Sequence, residues 1–150
     1  MREPARRLRI AALVRSSLRR GVLTVAAVLV VATAAGCGMT QSSFARTAGE
    51  VGSEFAAARE TLRLQHDGRL SAAYATSAFT SYEAQLTGKD HGLAGLDGAP
   101  ERGTVDRLVR LYRSAMEAVG APCLDDSCDW RGQAHALADA SAAFLEAAGG

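Results

Sequence analysis

Residues 43–68 read SFARTAGEVGSEFAAARETLRLQHDG, and their spacing decides the fold class. Phe44, Ala48, Val51, Phe55, Ala58, Leu62 and Gln65 recur at intervals of 4-3-4-3-4-3, and only the last of them is polar. That period lays all of them along one stripe of an α-helix, the pattern of a helix with a single buried face. Gly68, after Asp67, supplies a natural stop.

Downstream the same signal returns three times. A second segment, about 70–87, places Tyr74, Ala78, Phe79, Tyr82 and Leu86 at helical spacing, with Gly88 behind it. A third is expected to begin at Thr104 as N-cap, with Asp106 in the first turn, where the helix dipole favours an acid. Its stripe is Val105, Leu108, Tyr112, Ala115 and Val119, widened by Val109 and Met116, and Gly120 ends it. A fourth is capped by Asp129 and runs to about Ala148, with Trp130, Ala134, Leu137, Ser141, Phe144 and Ala148 on one side. No period-2 run argues for a strand. The expected fold is therefore all-α, an antiparallel four-helix bundle spanning residues 43–150. From Cys37 onward 23 residues are Ala, and Leu, Ile, Val and Phe number 19 of 114. Such a core buries little apolar area per residue, so stability should rest on the few large side chains and on any covalent staple.

Upstream the chain changes character. Residues 1–36 carry seven Arg and one acid, Glu3, whereas residues 37–150 hold ten basic against fifteen acidic residues, a net −5. An acidic body argues against nucleic acid as a partner, because phosphate binding needs a basic footprint. The basic stretch is followed by fourteen uncharged residues, Val22–Ala35 (VLTVAAVLVVATAA), and then by Gly36-Cys37. Basic, apolar and small-residue regions in that order make a secretory signal peptide, 1–36. Fourteen residues are short for a bilayer span, which takes about 20. The uncharged run does extend from Gly21 to Ala45, so an uncleaved signal anchor is the competing reading.

Ala34-Ala35-Gly36-Cys37 resembles the lipobox of bacterial lipoproteins, with Ala34 where that family usually has Leu. The resemblance implies cleavage between Gly36 and Cys37, and diacylation of the Cys37 sulfur, which becomes the new N-terminus. Two acyl chains matter, since one gives only marginal membrane affinity. Residues 37–42 then form a short lipidated tether, with a reach of roughly 20 Å at about 3.3–3.6 Å per residue. Arg19-Arg20-Gly21-Val22-Leu23 is similar to a twin-arginine signal but is preceded by Leu18 and followed by no Lys, which leaves the export route open. The composition, with 16 Arg against a single Lys89, one Ile10 and no Asn, resembles that of GC-rich bacteria such as the actinobacteria.

With Cys37 lipidated, two thiols remain in Cys-Leu-Asp-Asp-Ser-Cys, Cys123 to Cys128, between the third and fourth helices. For an exported protein a disulfide is the leading reading. A zinc pair would need two further ligands, and a redox dithiol usually has two intervening residues, whereas this one has four.

Other chemistry is thin. His66, His91 and His135 share no ligand spacing, with His66 placed near a helix C-terminus and His135 on a helix surface. Thr87-Gly88-Lys89-Asp90 lacks the first glycine and the hydroxyl of a phosphate loop. Asp125, Asp126 and Asp129 lack the alternation and central glycine of a calcium loop. With neither Gly-x-Ser-x-Gly nor Ser-x-x-Lys, the reading is of no enzyme, no catalytic residue, no metal and no cofactor. Two surface features remain. In residues 88–103, Leu93 and Leu96 either tuck over the bundle end or meet a partner. On the third helix Arg107, Arg110 and Arg113 either form a solvated face, with Asp106 pairing to Arg110, or touch anionic lipid. The functional expectation is a lipoprotein held on the extracytoplasmic face of the cell membrane by diacylglycerol on Cys37, whose bundle engages an envelope protein. The alternative is a carrier or receptor for a small ligand, metal or haem between the helices.

Overall fold

The computed structural model describes residues 41–149. The expected signal peptide, the expected cleavage position at Gly36 and the lipidation candidate Cys37 lie outside the described residues. Four helices follow in order: α1 Ser43–His66, α2 Ala72–Leu86, α3 Arg102–Gly120 and α4 Trp130–Gly149, with one 3₁₀ turn at Leu93–Gly95. Each is packed against its sequence neighbours, and α4 returns to lie along α1. Cross-links show the antiparallel sense. Near the start of α1, Gly49 faces Ala148 at the end of α4, while His66 at its close stacks on Trp130, where α4 begins. This is the expected all-α bundle. Among the described residues, no helix is long and apolar enough to cross a membrane.

The caps follow local chemistry. Ser42 accepts the Ala45 N–H at 3.1 Å, Ser71 accepts the Tyr74 N–H at 3.2 Å, and Asp129 accepts the Gly132 N–H at 2.9 Å; each satisfies a donor with no partner inside its helix. The third cap departs from expectation. α3 starts at Arg102, its N-cap Glu101 makes no side-chain capping bond, and no acid stands in its first turn. Thr104 is already inside the helix, where its N–H donates to the Glu101 carbonyl at 3.0 Å. Starting three residues earlier, with Glu101 in place of Thr104 as the cap, completes most of a turn before Val105 reaches the core.

All the large stripe residues of α1 are buried: Phe44, Val51, Phe55 and Leu62. At the centre the rings of Phe55, Tyr112 and Phe144 pack edge to face or tilted, with centroids 5.6–6.3 Å apart, a geometry aromatic quadrupoles favour. On α2 the buried positions are Ala75, Phe79 and Leu86. Tyr74, expected on the stripe, is 61% exposed, because Ala75, one position further round the helix, takes the inward place. Tyr82 sits at the edge of the core and shares a 3.0 Å hydrogen bond with Thr61 of α1.

The Tyr112 hydroxyl donates to the Leu86 carbonyl at the end of α2, satisfying one of the acceptors a helix terminus leaves free. Burial raises the pKa of this phenol, the negative charge of Asp90 adds to the rise, and a backbone hydrogen bond from Lys89 opposes it. A folded value above the unfolded one stabilises the fold fully below about pH 10, the ordinary tyrosine value, and that stabilisation is lost as pH rises through the folded value. The melting temperature of the parent should therefore fall relative to Tyr112→Phe above about pH 10. Parallel melting curves across that range would refute this.

The segment between α2 and α3 closes one end of the bundle. Leu93 is buried and Leu96 packs on the core, so the tucked arrangement is the one observed. The Asp97 carbonyl accepts the Phe44 N–H at 3.0 Å and the Ser43 hydroxyl at 3.4 Å, fastening the loop to the first turn of α1. Gly98, at φ +77, passes so close to Ser42 that a Cβ would stand 2.4 Å from its side chain; only glycine suits both the dihedral and the space.

Candidate functional site

The polar chemistry gathers at the opposite end, where α1 finishes beneath the α3–α4 connection. Cys123 and Cys128 are joined there, with Sγ atoms 2.04 Å and Cα atoms 5.8 Å apart. Cys123 is buried and Cys128 exposed. Three side chains hold this loop. Gln133, in the first turn of α4, accepts the Cys123 N–H at 2.7 Å and donates to the Ala121 carbonyl at 2.9 Å. Gln65 donates to the Leu124 carbonyl at 2.8 Å. His66 Nε2 lies 2.8 Å from the Cys123 carbonyl. A carbonyl only accepts, so Nε2 carries the proton.

The His66 imidazole is almost parallel to the Trp130 indole, at 4.5 Å between centroids. Its side chain is 7% exposed, and Nδ1 sits 3.8 Å from the fully exposed Asp126 carboxylate. Asp125 accepts both the hydroxyl and the N–H of Ser127. The hydroxyl bond, more than the backbone bond, holds its carboxyl below the ordinary carboxylate range, against a smaller desolvation that raises it. This arrangement is built to fix a surface: rigid carbonyls, a clamped loop and an oriented indole.

Removing the staple by Cys123→Ser with Cys128→Ser should lower stability by about 2 kcal/mol in the loop-entropy account, read as a shift in the denaturant midpoint. An unchanged midpoint would show that Gln65, His66 and Gln133 suffice to hold the loop.

The remaining candidates disperse. His66 is at the disulfide end, His91 in the loop at the other end, and His135 exposed on α4, so the three do not meet. Among the described residues no group of three or more His, Cys, Asp or Glu side chains could hold a metal ion. Asp129 is engaged as the α4 cap. Arg107, Arg110 and Arg113 are exposed; Arg113 reaches Asp90 at 4.0 Å, and among the described residues no ion pair joins Asp106 to Arg110. Arg107 lines a shallow groove of about 290 Å³ between α3 and α4 with Thr104, Leu108 and Glu146.

The Gln65 and Gln133 clamps and the His66–Trp130 stack have no motif of their own, because their partners are far apart along the chain. One signal was available: Gln65 is the polar last step of an apolar stripe, the place where a helix leaves the core and meets a connection. Comparison with family models, curated proteins and solved structures finds no match to the chain.

Proposed function

We propose that this chain is a lipid-anchored extracytoplasmic protein of the bacterial cell envelope, and that its bundle is a protein-interaction module. The anchor rests on the Gly36-Cys37 junction, which only five residues separate from Ser43, where α1 begins. An exported location also suits the Cys123–Cys128 bridge, since disulfides persist in oxidising compartments.

The observation that carries the interaction reading is the filled centre of the bundle. Phe55, Tyr112 and Phe144 contact one another there, in the space a carrier would keep for its ligand. Recognition then falls to the surface. The rigid end farthest from Ser43 is the natural place for it.

Intact-mass analysis of the full chain, expressed in a bacterium with lipoprotein-processing enzymes and extracted in detergent, tests the anchor. The expected mature species begins at Cys37 and carries diacylglycerol, and Cys37→Ala abolishes it. A membrane-bound species that retains Met1 overturns the anchor and leaves a signal anchor. For the module, native mass and metal content decide: a stoichiometric metal or co-purified ligand would favour the carrier.

A further inference from the structure

Between α1 and α4, on the outer face near the disulfide end, Arg59, Trp130, Arg131, Ala134, His135 and Ala138 line an open groove of about 300 Å³. Neither of its two guanidinium groups is paired with a carboxylate among the described residues, and both Arg59 and Arg131 are exposed. The acids close to them in sequence are engaged: Glu60 and Asp67 both bind Arg63, and Asp129 caps α4. On a body with a net charge of −5, the groove thus carries two arginines that have no carboxylate partner among the described residues.

The floor is equally specific. The Arg131 guanidinium lies over the Trp130 ring, 4.8 Å from its centroid, and the same indole is held by the His66 stack. Ala134 and Ala138 keep the groove wall low, so an incoming chain can approach the α4 backbone. Arg and Trp are the residue types that dominate binding energy at protein interfaces. Arginine forks match carboxylates in a bidentate way that lysine does not. A groove this open to solvent does not wrap a small molecule as ligand pockets do, but it fits two or three side chains of a longer segment.

We propose that this groove docks an acidic peptide segment of a partner protein. Arg59 and Arg131 each receive an Asp or Glu carboxylate, and an apolar side chain between them rests on Trp130, Ala134 and Ala138. The proposal rests on the interaction reading above and names its partner's chemistry. The position supports it, since Arg59 lies sixteen residues along α1 from Ser43, about 24 Å up the bundle at 1.5 Å per residue.

The test uses the full chain in detergent and a panel of fluorescein-labelled 12-residue peptides of Glu, Leu and Ala in varied spacings, each with a Gln-for-Glu counterpart. Fluorescence anisotropy should show at least one Glu peptide binding, weakening with salt, while its Gln counterpart does not bind. R59Q should weaken that binding about tenfold, the loss of one charge-assisted pair. R59E/R131E should reverse the preference toward Lys-bearing peptides. Both variants change exposed side chains, and an unchanged melting temperature certifies the fold. Equal binding of Glu and Gln peptides, no binding by any Glu peptide, insensitivity to R59Q, or glutarate binding as tightly as the best peptide each overturns the proposal. Photo-crosslinkers placed in cells at position 135 and at position 127 separate it from the broader reading. One partner captured only from 127 refutes the groove and keeps the module; none captured from either refutes the module as well.

Discussion

Phe55→Ala should cost about 3–5 kcal/mol of folding stability, and Phe144→Ala about the same. Both rings are fully buried, and each touches the other and Tyr112. Three facts push the loss toward the upper part of that range. Truncation removes a ring's transfer energy and also leaves a cavity whose walls are helix backbones that relax little. The edge-to-face contacts with Tyr112 add about 0.5–1.5 kcal/mol beyond area burial. Much of the surrounding core is alanine, with Ala48, Ala58, Ala115 and Ala140 all buried, and alanine has no side-chain freedom with which to fill a void. The double variant should fall short of the sum of the two singles, because the residues are in contact. Urea melts of the single and double variants decide this, and near-parental midpoints for both singles would sink the packing account.

Gly52→Val, at a buried position where α1 meets α4, should cost about 2–3 kcal/mol, the upper part of the overpacking range. A Cβ at Gly52 would stand 2.8 Å from Leu145 Cγ and 3.1 Å from the Leu145 backbone nitrogen. The Leu145 side chain is 44% exposed and can swing away, but the nitrogen belongs to α4 and cannot move without the helix. The helices must part, which also strains the 2.9 Å hydrogen bond that Ser141 Oγ donates to the Gly52 carbonyl. Gly49 is the internal control. A Cβ there meets only Ala148 Cβ at 3.7 Å, an ordinary contact, so Gly49→Ala should be neutral or, through helix propensity, stabilising by up to about 1 kcal/mol. If the two positions respond alike, the close approach of α1 and α4 is not the cause.

Helices whose inward positions are large announce themselves in the sequence. On α1, α3 and α4 large residues recur three, four or seven apart, with Ala or Ser at the steps between, and their buried faces follow those stripes. α2 was legible as a helix but not in phase. Its inward first step is Ala75 and its conspicuous aromatic, Tyr74, points outward; side-chain size pointed to one position and packing space selected its neighbour. The start of α3 was misread for a related reason. Thr104 has the better capping chemistry, yet helix length is set by where the loop leaves off, and Glu101 fills the cap without a side-chain bond. The disulfide was readable from two cysteines downstream of a stretch patterned like an export signal. Its supports were not, because Gln65, His66 and Gln133 come from different helices and only the fold brings them to one loop.

The fastening of α1 to Asp97 and Gly98 acts as a ruler. With its first turn bound to the loop, α1 is a helix of 24 residues, about 36 Å long at 1.5 Å rise. Five residues separate Ser43 from Cys37, at most about 20 Å of chain. For a lipid-anchored protein these two lengths define an altitude: the disulfide end cannot stand more than about 55 Å above the bilayer surface. A partner must bring its acidic segment inside that ceiling, so lengthening residues 38–42 would widen the range of partners without altering a single contact.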